Sequence, residues 1–322
     1  MLKRIIKILL IILCSLTGLL FIYSGYSKIY PIEPFEYTFV DLGIGNWRTA
    51  PFIARFLISL EFFIGLMLFF NLYLKKFTLK ITIITLLIFT IYLLAMIFSE
   101  GNNGNCGCFG TAIVMTPLQA IIKNVIMLAV CILLYAFHEG YSFGKFTLWL
   151  SVLFSLTALV MPHILNYVDL NYSQAYLNKP ENQFKLNLDT LYNNATVNIP
   201  PKTLSEGKHI IAFMSLSCKH CRVAAKKMRL MKEKNPDLSF YFVLNGEPEK
   251  LKSFYDDTKS QNIAFCQLNG KAFVYLAGVN LPTIYLINNS EVEHWVNYTE
   301  LDQSEIEKWL TPPGLPKGEE KR

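Results

Sequence analysis

Residues 209–228 read HIIAFMSLSCKHCRVAAKKM, and this stretch decides the fold of the region around it. The apolar and small residues 210–217 predict a buried strand, and the residues after them predict an amphipathic helix beginning at the two cysteines. Cys218 and Cys221 are thereby placed at a helix N-terminus, where unpaired backbone N–H groups and the positive end of the helix dipole favour a thiolate. Lys219 and His220, between the two sulfurs, add to that stabilisation. The spacing lets the second cysteine attack a mixed disulfide formed at the first, so Cys218 reads as nucleophile and Cys221 as resolving thiol. C-x-x-C is also half of a zinc site. His209, Cys266 and His294 do not form the second ligand pair that zinc would want, and the strand-then-helix context favours redox chemistry.

Outward from this stretch, composition divides the chain. Of 322 residues, 52% are hydrophobic and 17% charged, and the charges crowd into the part after residue 169. The first half therefore reads as membrane-embedded and the second as a soluble domain. The net charge of +6 does not mark a nucleic-acid binder. Its basic residues are split between the flanks of apolar runs and a lysine-rich surface interleaved with acids, which is the pattern of a solvated face. Predominantly apolar runs at 8–27, 56–74, 81–99, 117–137 and 146–168 are each long enough to cross a hydrocarbon core of roughly 30 Å. The first lacks a small-residue cleavage site and reads as a retained span rather than a signal peptide.

The positive-inside rule then orients the chain. Lys3, Arg4 and Lys7, then Lys75, Lys76 and Lys80, then Lys145 all fall on one face. This predicts a multi-pass protein of the inner (plasma) membrane with a cytoplasmic N-terminus and the soluble domain on the periplasmic, extracytoplasmic side. Disulfides form and persist there. The same side receives the loop between the third and fourth spans, GNNGNCGCFG at 101–110, whose glycines permit backbone conformations closed to other residues. A disulfide between Cys106 and Cys108 would close a small, strained ring of the easily reduced kind. A Cu(I) or zinc ligand pair, or two unrelated thiols, are the other readings of C-x-C.

Ionisable groups inside spans are costly and often functional. Glu61 lies well inside the second span, with Arg55 nearer its outer end, and Lys123, followed by Asn124, lies in the outer part of the fourth. Lys123 is expected either to pair with Glu61 or to snorkel to the interface. His163 reads as interfacial, and Cys14 and Cys131 as inert small hydrophobes. Beyond a linker at 171–183, the soluble part predicts strand 209–216, helix 221–232, strand 238–244 and helix 247–258. A short segment around Cys266 comes next, then a hairpin of 283–288 with 291–297, and a helix 301–310 started by Thr299. Alternating strands and helices imply a sheet covered on both faces. Pro282 is tolerable only as the residue that opens a strand, and a cis peptide there would set a backbone edge beside the cysteines. Cys266 reads as a core residue, and 311–322 as a disordered polar tail.

These motifs carry two resemblances. Residues 184–310 resemble a thioredoxin-fold domain of the membrane-tethered, TlpA-like kind, through strand, Cys218-Lys219-His220-Cys221, helix and the Leu281-Pro282-Thr283 turn. The resemblance implies attack by Cys218, resolution by Cys221 and a cis-proline loop at Pro282 facing both. His220 before the second cysteine is similar to the oxidising, DsbA-like members. Ser217 stands where many members carry Trp, and 210–217 holds no acid to accept the resolving thiol's proton. Residues 2–138 resemble the MauE/DoxX-like group associated with methylamine utilisation, through Ser24-Gly25-Tyr26-Ser27-Lys28, Glu61, Cys106-Gly107-Cys108-Phe109-Gly110 and Lys123-Asn124.

The expected architecture is thus a bundle of about five transmembrane helices followed by an α/β thioredoxin-like domain. Its parts are a membrane domain at 1–140, a fifth transmembrane helix within 141–170, the thioredoxin-like domain at 171–310 and the tail. The expected function is thiol-disulfide exchange between Cys106/Cys108 and Cys218/Cys221, acting on disulfides of envelope proteins, with a membrane quinone as terminal partner. His220, Lys219, Pro282, Glu61 and Lys123 support it. A tethered client-binding or assembly module, and a copper-handling protein using the C-x-C pair, are the competing readings.

Overall fold

The structure, a computed structural model, describes residues 1–102, 104–141, 144–168 and 184–311. The linker expected at 171–183, and the tail expected at 311–322 except for Thr311, lie outside the described residues. The chain separates into two compact units, Met1–Val168 and Asp169–Arg322.

The first unit contains α1 (Leu2–Ser27), α2 (Glu33–Asp41), α3 (Ala50–Phe69), α4 (Leu79–Glu100), α5 (Pro117–Phe137) and α6 (Lys145–Leu165). A π-type turn, Leu74–Thr78, leads into α4. Five of these helices, all but α2, are long and apolar enough to cross a membrane, and the chain is a multi-pass membrane protein. α2 lies between the first two apolar runs, in a stretch with no long apolar run of its own. Its first turn holds a proline and the acids Glu33 and Glu36, all suited to a helix N-terminus. α3 starts six residues earlier than the apolar run suggested. Arg55 had ended that run on hydropathy alone, but it is buried against Glu36 at 2.5 Å and gives hydrogen bonds to the carbonyls of Pro51 and Asn166. A charge so neutralised no longer opposes burial.

α1 and α3 cross with backbones nearly touching. A Cβ on Gly18 would lie 2.6 Å from the Gly65 carbonyl oxygen, and one on Gly65 would lie 2.6 Å from Ile22. Between helices in lipid, van der Waals packing of small residues replaces the hydrophobic effect. The buried face of α1 reflects this: Cys14, Thr17, Gly18, Phe21, Ser24 and Gly25 recur every three or four residues. Cys14 and Cys131 lie in the apolar core of this unit, as expected of small hydrophobes.

The second unit is a five-stranded sheet of β1 (Lys208–Ser215), β2 (Phe240–Asn245), β3 (Ala264–Gln267), β4 (Thr283–Asn288) and β5 (Glu291–Val296), in the order β3-β2-β1-β4-β5. β1, β2 and β3 are parallel, whereas β4 and β5 are antiparallel. The helices are α7 (Leu188–Asn194), α8 (Lys219–Lys234), α9 (Lys250–Thr258), α10 (Lys271–Ala277) and α11 (Gln303–Leu310). Ile210 through Met214 are fully buried, which a central strand covered on both faces requires. On one face Ile211 and Phe213 pack with Leu188 and Leu191 of α7 and Phe273 and Leu276 of α10. Cys266 belongs to this core, in line with its sequence reading. This is the expected α/β thioredoxin-like arrangement, with helices α7 and α10 added. Each has only seven residues, too few for helical periodicity to register. α11 starts later than expected, since Asp302 rather than Thr299 caps it by accepting the Glu305 N–H at 3.1 Å.

Phe213→Ala should remove about 3–5 kcal/mol from the second unit. In hydrogen exchange on the whole chain, the β1 and β2 amides should then exchange roughly 100-fold faster or more, with α1 to α6 unchanged. Uniform acceleration in both units would contradict the division into two units.

Candidate active site: two cysteine pairs

All seven cysteines are free thiols in this structure. In the second unit β1 ends at Ser215 and the chain turns into α8 with Cys218 as its N-cap. The Cys221 backbone N–H donates to the Cys218 sulfur at 3.3 Å, so the sulfur does the capping work usually done by a Ser or Asp oxygen. Cys221 sits in the first turn, fully buried, and its own sulfur accepts the Ser215 N–H at 3.4 Å. The peptide between Leu281 and Pro282 is cis, and the Leu281 carbonyl lies 4.0 Å from the Cys218 sulfur. Pro282 thus stands directly before β4, facing the cysteines as expected.

The two thiols are unequal. The Cys221 S–H hydrogen-bonds the Cys218 sulfur, and this lowers Cys218 from 9.0 to about 6 against the opposing effect of burial. Backbone N–H groups of Cys221 and His220, and the His220 imidazole, act in the same direction. Cys221 is pushed up, first by that same hydrogen bond and then by burial. Lys219 and His220 are both exposed, and the His220 ring stacks on Tyr298 with centroids 5.8 Å apart. Tyr298 carries no sequence signal, because it reaches the motif only through the turn after β5.

In the first unit the loop after α4 is held by Asn105. Its side chain donates to the Gly110 carbonyl at 2.9 Å and accepts the Gly107 N–H at 3.2 Å, while the Cys106 N–H donates to the Met115 carbonyl at 2.8 Å. Gly110 has φ of +55°, and a Cβ there would lie 2.2 Å from the Ser27 carbonyl oxygen. Only glycine lets the loop close on the end of α1. The Ser24 hydroxyl then donates to the Cys108 carbonyl at 3.0 Å. Cys106 is buried and Cys108 partly so. The Cys106 S–H hydrogen-bonds the Cys108 sulfur, lowering Cys108 to about 7, with Lys123 and Lys28 assisting against burial. Cys106 is correspondingly raised.

Glu61 and Lys123 both line the cavity beside these sulfurs, but the expectation that they pair is corrected. Glu61 binds Lys28, whose ammonium lies 2.7 Å from both carboxylate oxygens and 2.8 Å from the Ser24 hydroxyl. Lys123 instead stands over the Phe109 ring, 4.6 Å from its centroid. Lys28 and Ser24 entered the sequence reading only as ends of the Ser24-Gly25-Tyr26-Ser27-Lys28 motif and not as site residues, although their spacing of four aligns them along one side of α1. A lysine directly after an apolar run looks like an interface marker, yet Lys28 is only 3% exposed. His163 is exposed on α6. Among the described residues no three His, Cys, Asp or Glu come together as a metal site.

Residues 6–137 match the family described as methylamine utilisation protein MauE. Over 294 residues the chain is 29% identical to Protein TlpB of Flavobacterium psychrophilum, spanning 76% of this chain and 79% of that one. Among solved structures, a secreted disulfide oxidoreductase of Mycobacterium tuberculosis is similar at 18% identity and a TM-score of 0.30, over 37% of this chain and 98% of that one. The thioredoxin domain of a Bacteroides vulgatus thiol-disulfide oxidoreductase is similar at 15% identity and a TM-score of 0.31, over 42% and 99%.

A thiolate is the alkylating species, so reactivity is present above the thiol pKa and is lost as pH falls through it. Cys218 should therefore react with iodoacetamide half-maximally near pH 6 and Cys108 near pH 7, with Cys221 and Cys106 unreactive across that range. Quenched labelling with peptide mapping reads this, and a midpoint near 9 for Cys218 would refute the sulfur–sulfur hydrogen bond.

Proposed function

We propose that this chain, a MauE-type membrane domain joined to a thioredoxin-like domain, is a membrane-anchored protein thiol-disulfide oxidoreductase. It passes electrons between Cys106/Cys108 and Cys218/Cys221 and acts on thiols and disulfides of envelope proteins. The observation that carries the reading is that each unit holds a closely spaced cysteine pair with one sulfur buried, Cys106 or Cys221, and its neighbour partly exposed, Cys108 or Cys218. Such a pair has an attacking sulfur and a resolving sulfur already assigned. The distribution of lysine and arginine supports an inner-membrane orientation with the N-terminus cytoplasmic and both pairs on the envelope side.

In the oxidising direction, a client thiolate attacks Cys218 of the Cys218–Cys221 disulfide and expels Cys221. A second client thiolate then attacks the client sulfur of that mixed disulfide, releasing Cys218 and leaving the client oxidised. The Cys218 thiolate next attacks the Cys106–Cys108 disulfide, and Cys221 attacks Cys218 in turn, so the membrane pair leaves as a dithiol. Two electrons move at each exchange. Thiolate stabilisation at Cys218 makes its reduced form the more stable one and favours this direction.

Cys106→Ser together with Cys108→Ser tests the exchange. The ratio of reduced to oxidised Cys218/Cys221 in cells, read by acid-quenched alkylation, should rise about ten-fold or more, as ~30 mV of lost oxidising poise would produce. An unchanged ratio would overturn the relay.

A further inference from the structure

Resting on that reading, we infer that the cavity beside Cys108 takes a lipid-soluble quinone, held by its head against Lys123 and the Lys28–Glu61 pair, as the two-electron partner of Cys106/Cys108. The cavity, of about 280 Å³, lies wholly within the first unit and is lined by both sulfur residues, Lys28, Glu61 and Lys123. A cavity of ~150 Å³ already admits benzene, so a substituted six-membered ring has room. Most of the remaining wall is apolar, so the polar groups converge at the sulfur end, as in a site that orients one polar head. Leu20 and Ile88, 45% and 58% exposed on the apolar outer surfaces of α1 and α4, line the same cavity. Its occupant therefore has a route for an apolar tail into the bilayer.

The chemistry selects among apolar occupants. Closing the Cys106–Cys108 bond gives up two electrons and two protons, and a quinone takes up both to become a quinol, so dithiol plus quinone balances disulfide plus quinol. A lysine ammonium can donate to a quinone carbonyl oxygen and favours the negative charge that reduction brings, and Lys123 stands at this end over the Phe109 ring. Glu61 and Lys28, both buried and hydrogen-bonded, fix the polar end of the cavity through Ser24 and the Cys108 carbonyl. An acyl chain of a phospholipid would use the apolar wall but none of these groups.

The test uses the whole chain in nanodiscs with an azido-benzoquinone carrying a decyl tail. Photolabel should map to α4, α5 and the 105–110 loop, and unlabelled decylubiquinone should compete it away. Lys123→Met should cut labelling at sub-saturating probe about ten-fold, and Lys123→Arg should restore most of it. Fully reduced protein given decylubiquinone should yield one Cys106–Cys108 disulfide per quinol, also when Cys218 and Cys221 are replaced by alanine. Label absent or not competed, or a phospholipid retained in the cavity by native mass spectrometry with no quinone displacing it, overturns the site. Those results leave the exchange between the two cysteine pairs standing if Cys218/Cys221 still depends on Cys106/Cys108 in cells. Quinone oxidation of Cys106/Cys108 without that dependence sinks the relay and keeps the site.

Discussion

The inequality between two neighbouring thiols is the feature on which the proposed chemistry of both units depends. One thiol donates to its neighbour, so the neighbour can shed its own proton cheaply while the donor holds on more tightly. In the second unit Cys221 donates to Cys218, and the open end of α8 adds backbone N–H groups around the same sulfur. In the first unit Cys106 donates to Cys108 with no helix terminus behind it, and lysines supply the remaining positive field. Two unrelated backbones thus reach the same inequality. An unequal pair is what directional exchange needs, because the attacking sulfur must be ionised and the resolving one must wait.

The membrane pair depends on packing some distance from the sulfurs. Gly18 and Gly65 let α1 and α3 touch, which brings Lys28 against Glu61. An ion pair this deeply buried adds little net stability, but losing either partner would strand a charge at a cost of about 3–5 kcal/mol. Its value lies in position: the lysine also holds Ser24, and Ser24 holds the Cys108 carbonyl. Gly110, pressed on the Ser27 carbonyl, closes the loop from the other side. The C-G-C-F-G stretch is therefore a loop seated on the end of a helix rather than a free hairpin.

Much of this was legible from residue order. The buried strand before Cys218, the helix starting at it, the proline before β4 and the five apolar spans are all written in periodicity and punctuation. What sequence could not supply were pairings decided by helix crossing. Glu61 had Lys123 as an attractive partner on hydropathy grounds, whereas the close α1–α3 contact delivered Lys28. Arg55 likewise marked a false span boundary until Glu36 of α2 came within reach. Short helices such as α7 and α10, and the stacking of Tyr298 on His220, come from tertiary contacts that leave no periodic trace.

The most direct test of the relay is to trap it. With Cys221→Ala the mixed disulfide on Cys218 cannot be resolved from within its own unit, so it should accumulate in cells and survive acid quenching. The relay predicts a cross-linked peptide joining Cys218 to Cys106 or Cys108, identified by mass mapping under non-reducing conditions. Links from Cys218 only to separate envelope proteins would contradict it and leave an anchored thioredoxin-like domain beside a membrane domain with other work.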